Sequence, residues 1–291
     1  MKVGAVYPQT ETQGDPDALD RIGLAVEQMG YSSLLMYDHV VGAVHDERDP
    51  KLWGPYTDRH PFHDPFVAFG YLAGITKRIE FITGVLILPQ RQTVLVAKQA
   101  ADLDLVSRQR FTLGVGTGWN YVEYDALGED FHTRGKKMDE QIPYLRQLWN
   151  EPLVSFEGQF HRIDRANIVP RPKRQIPIFC GGFGEAPFRR AARIADGFIF
   201  AAGLEEQGLP GMERIKTLLV QNGREPDRFG FHLVLQNSSG RGLDVPVTIE
   251  TLQRWRDAGG THASVGTMYR GYQMAEQHID FLAEVRQKFD A

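Results

Sequence analysis

One acid-base pair stands where a buried segment gives way to a loop. Asp38 and His39 end the second of a series of apolar runs. A histidine in that place can donate or accept a proton near neutral pH, and Asp38 can hydrogen-bond to backbone or to a cofactor. Successive strand residues point to opposite faces, so at most one of the two projects inward. We predict that His39 is catalytic; the alternative is a loop-capping aspartate beside a solvated histidine.

Two glycine-rich segments could bring bare backbone close to a ligand. Gly181 and Gly182 lead into a predicted helix, where backbone N–H groups and the helix dipole favour a phosphate or carboxylate. The alternative is a tight turn that needs glycine for a positive φ. Residues 114–118 (GVGTG) lack the third spaced glycine and the downstream acid of a dinucleotide-binding motif. They could still let a flat ligand approach the backbone.

The other strand ends supply little chemistry. They offer no lysine for a Schiff base, no histidine and carboxylate cluster for a metal, and no carboxylate pair for glycoside hydrolysis. Cys180 is the single cysteine, and we interpret it as a small buried residue rather than a nucleophile. We therefore expect no metal, and an organic cofactor that performs the difficult step.

Eight short apolar runs must position these residues. They are rich in Val, Ile, Leu and Phe without polar alternation, as in parallel strands buried on both faces. They span residues 3–7, 33–38, 79–88, 111–117, 176–180, 197–201, 231–236 and 263–267. Helical segments alternate with them, with predicted starts at Asp17, at Asp64 with Pro65, and at Thr248 with Thr251. We predict one (β/α)8 TIM-barrel domain over residues 1–291, with its chemistry at the C-terminal strand ends.

Two insertions interrupt this alternation. The 39–63 loop after the second strand contains four histidines, Trp53 and Tyr56, and residues 152–175 precede the fifth strand. Loops of this length in a compact domain are usually functional lids or flexible segments. The two aromatic side chains favour a functional lid; the alternative is a loop that merely packs.

Composition favours a small-molecule partner. The chain has 33 Lys and Arg residues against 37 Asp and Glu residues, which leaves no basic surface typical of nucleic-acid binding. Strand-like sequence begins at Val3, and no apolar run reaches membrane-spanning length, so we expect neither a signal peptide nor a membrane anchor. Together with the single cysteine, these features predict a cytoplasmic protein.

Several motifs follow one another in order along nearly the whole chain. They are residues 99–107 (QAADLDLVS), 110–120 (RFTLGVGTGWN), 123–128 (EYDALG), 139–140 (DE), 148–149 (LW), 156–160 (FEGQF), 170–172 (PRP), 177–182 (PIFCGG) and 191–197 (AARIADG). Together they resemble the bacterial luciferase-like monooxygenase family. The resemblance implies a TIM barrel that binds FMN or the deazaflavin coenzyme F420 at its C-terminal strand ends.

Within that family, the sequence Tyr-Asp-His-Val at residues 37–40 resembles the F420-dependent branch. The resemblance implies that Asp38 reaches the cofactor and that His39 lies near its reacting carbon. The family's third strand carries a bulge with a non-proline cis peptide that supports the cofactor ring, and Gly84 with Val85 matches this site. By the same resemblance, the cofactor would be lined by Gly116 and Thr117, and its phosphate bound by Gly181 and Gly182.

One departure from the family pattern concerns the substrate. The F420-dependent glucose-6-phosphate dehydrogenase branch has a proton-carrying glutamate where this chain has Trp119, so we do not expect that activity. Trp119, with Trp53 and Tyr56, suggests a pocket for a flat or apolar substrate. The alternative is that Trp119 packs beneath a loop.

The resulting hypothesis is hydride transfer between F420 and a small organic substrate, with His39 supplying a proton or stabilising charge. Two alternatives stay open. One is an FMN-dependent monooxygenase that uses O2, and the other is a non-catalytic flavin-binding protein. A separate flavin or F420 reductase would be a partner of the enzyme. The apolar second and third helices suggest a homodimer, although barrel helices need an apolar stripe anyway.

Overall fold

The computed structural model describes residues 1–236 and 241–289, and its strands close into a parallel barrel. The strands are β1 (Lys2–Val6), β2 (Ser33–Met36), β3 (Glu80–Thr83), β4 (Leu86–Ile87), β5 (Phe111–Gly116), β6 (Val154–Glu157), β7 (Arg162–Ala166), β8 (Ile178–Gly181), β9 (Gly197–Phe200), β10 (Gly230–Leu235) and β11 (His262–Val265). The barrel order is β1, β2, β3 with β4, β5, β8, β9, β10 and β11, which pairs again with β1. Because β3 and β4 share one position, eight positions close the barrel, and the predicted (β/α)8 fold is confirmed.

Helices surround this barrel. They are α1 (Pro16–Gln28), α2 (Pro65–Ile75), α3 (Thr93–Val106), α4 (Tyr121–Ala126), α5 (Arg134–Asn150), α6 (Glu185–Ile194), α7 (Leu209–Gln221), α8 (Val245–Asp257) and α9 (Ala275–Phe289). Residues 237–240 and 290–291, which the predicted domain of 1–291 includes, lie outside the described residues. Both α4 and α5 follow β5, whereas one helix follows each other barrel position.

The strands separate two apolar clusters because successive side chains point to opposite faces. The inner cluster contains Val6, Leu35 and Ile82, together with side chains from β8, β9 and β10. The neighbouring Ala5 and Leu34 belong instead to the larger cluster that the helices cover. This double burial explains why the strands read as uninterrupted apolar runs.

Several predicted boundaries differ from those observed. The predicted strand 79–88 is interrupted at Gly84 and Val85, and the predicted strand 33–38 ends at Met36. The other six predicted strands differ by one or two residues at their ends. Asp38 and His39 therefore lie beyond the regular strand, just before and at the start of the 39–63 loop. Their side chains need not follow the alternation of a strand.

Of the three predicted helix starts, one is confirmed and two lie at other residues. Asp64 caps α2 as predicted, with Oδ1 accepting hydrogen bonds from the N–H groups of Phe66 (2.9 Å) and Val67 (3.1 Å). The prediction at Asp17 is wrong, because Asp15 caps α1 and Pro16 occupies its first turn. The prediction at Thr248 and Thr251 is also wrong, because α8 begins one turn earlier, at Val245.

The two insertions have different structures. The 39–63 loop contains no helix or strand, whereas the 152–175 insertion contains the antiparallel hairpin β6–β7. Phe156 of this hairpin stacks on Tyr144 of α5, with ring centroids 4.6 Å apart. Among the described residues, no helix combines the length and apolar character needed to cross a membrane.

Candidate active site at the strand ends

His39 lies in an aromatic cage above β2. Its ring centroid is 5.1 Å from Tyr56, 5.0 Å from Phe62 and 5.6 Å from Trp119. Tyr56 and Phe62 also pack against the inner barrel cluster. The His39 side chain is 9% exposed. The imidazole therefore lies among side chains that pack on the inner barrel cluster, and its catalytic role stays a prediction.

Glu123 holds His39 from the opposite side. Its Oε2 lies 3.3 Å from His39 Nδ1, and its Oε1 accepts hydrogen bonds from the N–H groups of Val40 and of Val41 (3.0 Å). Burial raises the pKa of Glu123, but the hydrogen bonds from His39, Val41 and Val40 outweigh it and leave the pKa below its usual value. We infer that Glu123 is an anion at neutral pH.

Asp38 points away from His39 and forms a separate ion-pair network. Arg91 Nη2 donates to Asp38 Oδ1 at 2.7 Å and to Asp64 Oδ2 at 3.0 Å, and the Ile87 N–H donates to Asp38 Oδ2 at 3.0 Å. Burial raises the pKa of the Asp38 carboxyl, and the ion pair with Arg91 opposes that rise. Asp38 thus links the end of β2 to β4 and to the start of α2.

The bulge between β3 and β4 brings three predicted cofactor residues together. The peptide bond between Gly84 and Val85 is cis, as the family resemblance implied. A Cβ atom added at Gly116 would lie 2.4 Å from a Val85 side-chain carbon, and one added at Gly181 would lie 2.7 Å from another. Val85 therefore packs directly over two glycines. Thr117, next to this patch, accepts a hydrogen bond on its carbonyl from Tyr124 (2.7 Å).

The glycines after β8 form a turn into α6. Gly182 has φ of 137° and Gly184 has φ of 83°, so both adopt backbone conformations that side chains disfavour. Gly184 is the N-cap of α6, and no side chain caps its N–H groups. Gln207 Nε2 donates to the Gly182 carbonyl at 2.7 Å. The turn requirement is confirmed, while anion binding at the uncapped N–H groups stays a prediction.

The 39–63 loop rests on the segment that joins β5 to α4. A Cβ atom at Gly54 would lie 2.4 Å from the Trp119 ring, and His45 packs edge-on against the same ring at 5.7 Å. Asn120 Nδ2 donates to the Val41 carbonyl at 3.2 Å. Of the three predicted pocket residues, Tyr56 and Trp119 meet at His39, whereas Trp53 is 75% exposed.

Other candidate groups lack catalytic surroundings. Cys180 is buried, and burial raises the pKa of its thiol to about 12, so the thiolate is not accessible near neutral pH. His232 and His262 lie at strand starts, where their rings stack 5.7 Å apart. Across residues 1–236 and 241–289, no group of three or more His, Cys, Asp or Glu side chains could hold a metal ion.

Sequence reasoning identified His39 but missed its partners. Glu123 stands three residues after the N-cap Asn120, a spacing typical of a capping glutamate. Its carboxylate instead contacts His39, which lies 84 positions earlier in the chain. Arg91 and Phe62 were also missed, because nothing local connects them to residues 38–39.

Comparisons with known proteins agree with this architecture. The sequence profile of the luciferase-like monooxygenase family matches residues 1–240. An uncharacterised protein of Mycobacterium tuberculosis is 35% identical over 250 residues, which cover 83% of this chain and 82% of that protein. An F420-dependent glucose-6-phosphate dehydrogenase of Nakamurella multipartita is 32% identical over 200 residues, covering 68% of this chain and 56% of that enzyme.

A solved structure extends the agreement to the whole fold. The monooxygenase RslO1 from Streptomyces bottropensis superposes with a TM-score of 0.80 at 16% identity, with 100% of both chains covered. The family match covers most of the chain, and its members are flavin- or F420-dependent oxidoreductases and monooxygenases. The chain therefore belongs to the luciferase-like monooxygenase family and is an enzyme of the oxidoreductase class.

Proposed function

We propose that this enzyme transfers hydride between coenzyme F420 and a small organic substrate. The observation that carries the proposal is His39, whose ring lies beside residues that pack on the inner barrel cluster and whose Nδ1 contacts Glu123. No hydrogen bond of His39 Nε2 is found within the described part of the chain. That nitrogen is therefore available to a bound substrate. The 32% identity to an F420-dependent enzyme adds support for this cofactor over FMN.

The residues around the bulge fit a flat ring with a phosphate-bearing tail. Val85 is half-buried and flanked by Gly116 and Gly181, so an apolar side chain and bare backbone form a shallow surface. Gly84 and Thr117 complete this surface at the ends of β3 and β5. Gly181 and Gly182 lead to the uncapped N–H groups of α6, which favour an anion.

In the proposed reaction, the cofactor exchanges the hydride and the protein supplies the group that transfers the proton. F420, when bound, supplies the carbon that gives or accepts the hydride. When hydride reaches a substrate carbon, the imidazolium form of His39 gives its Nε2 proton to the adjacent oxygen or nitrogen, and in the reverse direction the neutral ring takes that proton back on Nε2. Asp38 contributes by fixing β4 through the Ile87 N–H. Tyr56 and Trp119 exclude water from His39.

The same residues narrow the substrate class. Trp119 provides an aromatic surface 5.6 Å from His39, where a glutamate would favour a hydrated sugar. We therefore propose a flat or apolar alcohol, imine or activated alkene rather than glucose 6-phosphate. An FMN-dependent monooxygenase supplied by a separate reductase is the second candidate, favoured by the similarity to the fold of a monooxygenase.

The proposed assembly is a homodimer through α2 and α3. Val67 is 73% exposed and Tyr71 is 49% exposed on α2, and Leu95 and Val106 on α3 are also exposed. Such a concentration of apolar side chains on neighbouring helices is typical of a protein interface. Light scattering after size-exclusion chromatography would give twice the chain mass for the dimer, and the chain mass would refute it.

Equilibrium binding of oxidised F420 and of FMN to the purified protein tests the cofactor assignment. We expect F420 to bind at least about tenfold more tightly than FMN, a free-energy difference of about 1.4 kcal/mol. Gly116→Ala should weaken binding because its Cβ displaces Val85, whereas Gly135→Ala, whose Cβ meets only Arg190 at 3.4 Å, is the matched control. Preferential FMN binding would overturn the proposal and favour the monooxygenase.

A further inference from the structure

The carboxylate of Glu123 joins two features that no local sequence pattern connects. One oxygen contacts the imidazole of His39, and the other accepts two consecutive backbone N–H groups near the start of the 39–63 loop, at Val40 and Val41. The Glu123 side chain is only 2% exposed. A buried carboxylate of this kind cannot exchange these donors for water without a large cost.

The chemistry of the pair fixes the position of the histidine proton. An ionised carboxylate accepts hydrogen bonds and donates none, so the proton of neutral His39 must sit on Nδ1. Nε2 is then the unprotonated nitrogen, and a second proton arriving there creates an imidazolium beside a carboxylate.

The groups that face His39 come from three places. Glu123 lies on α4, Tyr56 and Phe62 lie on the 39–63 loop, and Trp119 lies between β5 and α4. The adjacent Asp38 is engaged by Arg91. Glu123 is therefore the one carboxylate within hydrogen-bonding distance of His39 among the described residues.

We propose that Glu123 is a positioning residue that fixes His39 as the Nδ1–H tautomer and ties the orientation of that ring to the docked 39–63 loop. The use made of the proton rests on the proposed function, but the tautomer and its link to the loop do not. Movement of Val40 and Val41 away from Glu123 removes two donors from the carboxylate that orients His39. The position of the loop and the orientation of the His39 ring therefore change together.

Nuclear magnetic resonance of histidine-labelled protein without cofactor tests this inference. The His39 signal is assigned by its loss in His39→Gln. We expect the neutral wild-type ring to carry its proton on Nδ1. In Glu123→Gln, we expect the Nε2–H form of the neutral ring to become populated, because the amide group that replaces one carboxylate oxygen donates hydrogen bonds instead of accepting them. Amide exchange at Val40 and Val41 should become faster in the same variant.

Glu140→Gln is the matched control, because Glu140 holds His161 Nδ1 and two backbone N–H groups on the barrel flank. It should change the tautomer of His161 and leave that of His39 unaltered. An unchanged His39 tautomer in folded Glu123→Gln would overturn the inference. If that variant does not fold, an Nε2–H tautomer in the wild-type protein would overturn it alone. Failure of F420 to bind would refute the proposed function without affecting either result.

Discussion

Two glutamates in this chain hold a histidine in the same way, yet the two histidines differ at their other nitrogen. Each carboxylate accepts two consecutive backbone N–H groups and contacts a histidine Nδ1: Val40, Val41 and His39 for Glu123, and Gln159, Phe160 and His161 for Glu140. Both histidine side chains are about equally covered, at 9% and 12% exposure. Neither burial nor the carboxylate therefore distinguishes them.

The second nitrogen does distinguish them. His161 Nε2 lies 2.6 Å from Thr93 Oγ1, and Gln141 Nε2 donates to the same hydroxyl at 2.8 Å. This closed chain of hydrogen bonds anchors the β6–β7 hairpin to α3 and α5. For His39 Nε2, no hydrogen-bond partner is found among the described residues. One local arrangement thus serves as a structural anchor where both nitrogens are paired, and as a candidate acid-base group where only Nδ1 has a described partner.

Replacing the two histidines should give the largest difference between the regions. We expect His39→Asn to reduce turnover at least about 100-fold, because general acid-base groups contribute this much or more. His161→Asn should keep turnover within a few-fold, since it removes only an anchor. The measurement is kcat for the first substrate that supports oxidation or reduction of the bound cofactor. Equal losses in the two variants would contradict the comparison, and unchanged turnover in His39→Asn would refute its catalytic role.

Two buried histidines extend the comparison, because their protonation makes the stability of the fold depend on pH. His278 hydrogen-bonds to Thr267 through Nδ1 at 2.8 Å, and burial lowers its pKa from 6.5 to about 4. His262 is also lowered to about 4, mainly by burial. The folded protein keeps these rings neutral in a range where the unfolded chain binds protons. Unfolding therefore takes up protons, and stability falls as the pH drops from 6.5 toward 4.

The expected loss is about 2 kcal/mol per histidine between about pH 7 and pH 5, from the linkage of proton binding to unfolding. Urea denaturation at the two pH values measures it. His278→Asn should flatten the pH dependence, whereas His132→Asn, at an exposed position, should leave it unchanged. A pH dependence that survives intact in His278→Asn would show that His278 does not stay neutral in the fold.

Removing one hydrogen bond from the network around His161 should have a smaller effect, and on stability alone. Thr93→Val removes the hydroxyl that pairs with His161 Nε2 and leaves that nitrogen unsatisfied, while Gln141 Nε2 keeps its hydrogen bond to the Leu88 carbonyl (3.2 Å). We expect a loss of about 1–2 kcal/mol in the free energy of unfolding, the usual cost of a buried unpaired group. Cofactor affinity should not change. A stability equal to that of the wild type would mean that the hairpin is held by its apolar contacts alone.

The fold was predictable because its signals are local, and the site only in part because its signals are not. Apolar runs such as 111–117 and the Asp64-Pro65 cap act within a few residues, so barrel and helices follow from the sequence. Asp38 and His39 were recognisable from their place at a strand end. Their partners Arg91 and Glu123 lie 53 and 84 positions away, and only the closed barrel brings them near.

Trp53 and Tyr56 are the most closely matched pair of residues to compare. Both belong to the 39–63 loop, and both were predicted to line the substrate pocket. Tyr56 packs 5.1 Å from His39, while Trp53 is 75% exposed. We expect Tyr56→Ala to raise KM several-fold or more, and Trp53→Ala to leave KM within about twofold, as for most exposed substitutions. Steady-state kinetics of the two variants measure this. A large effect of Trp53→Ala would mean that Trp53 turns inward when substrate binds, and that loop docking involves more than the contacts at Glu123 and Trp119.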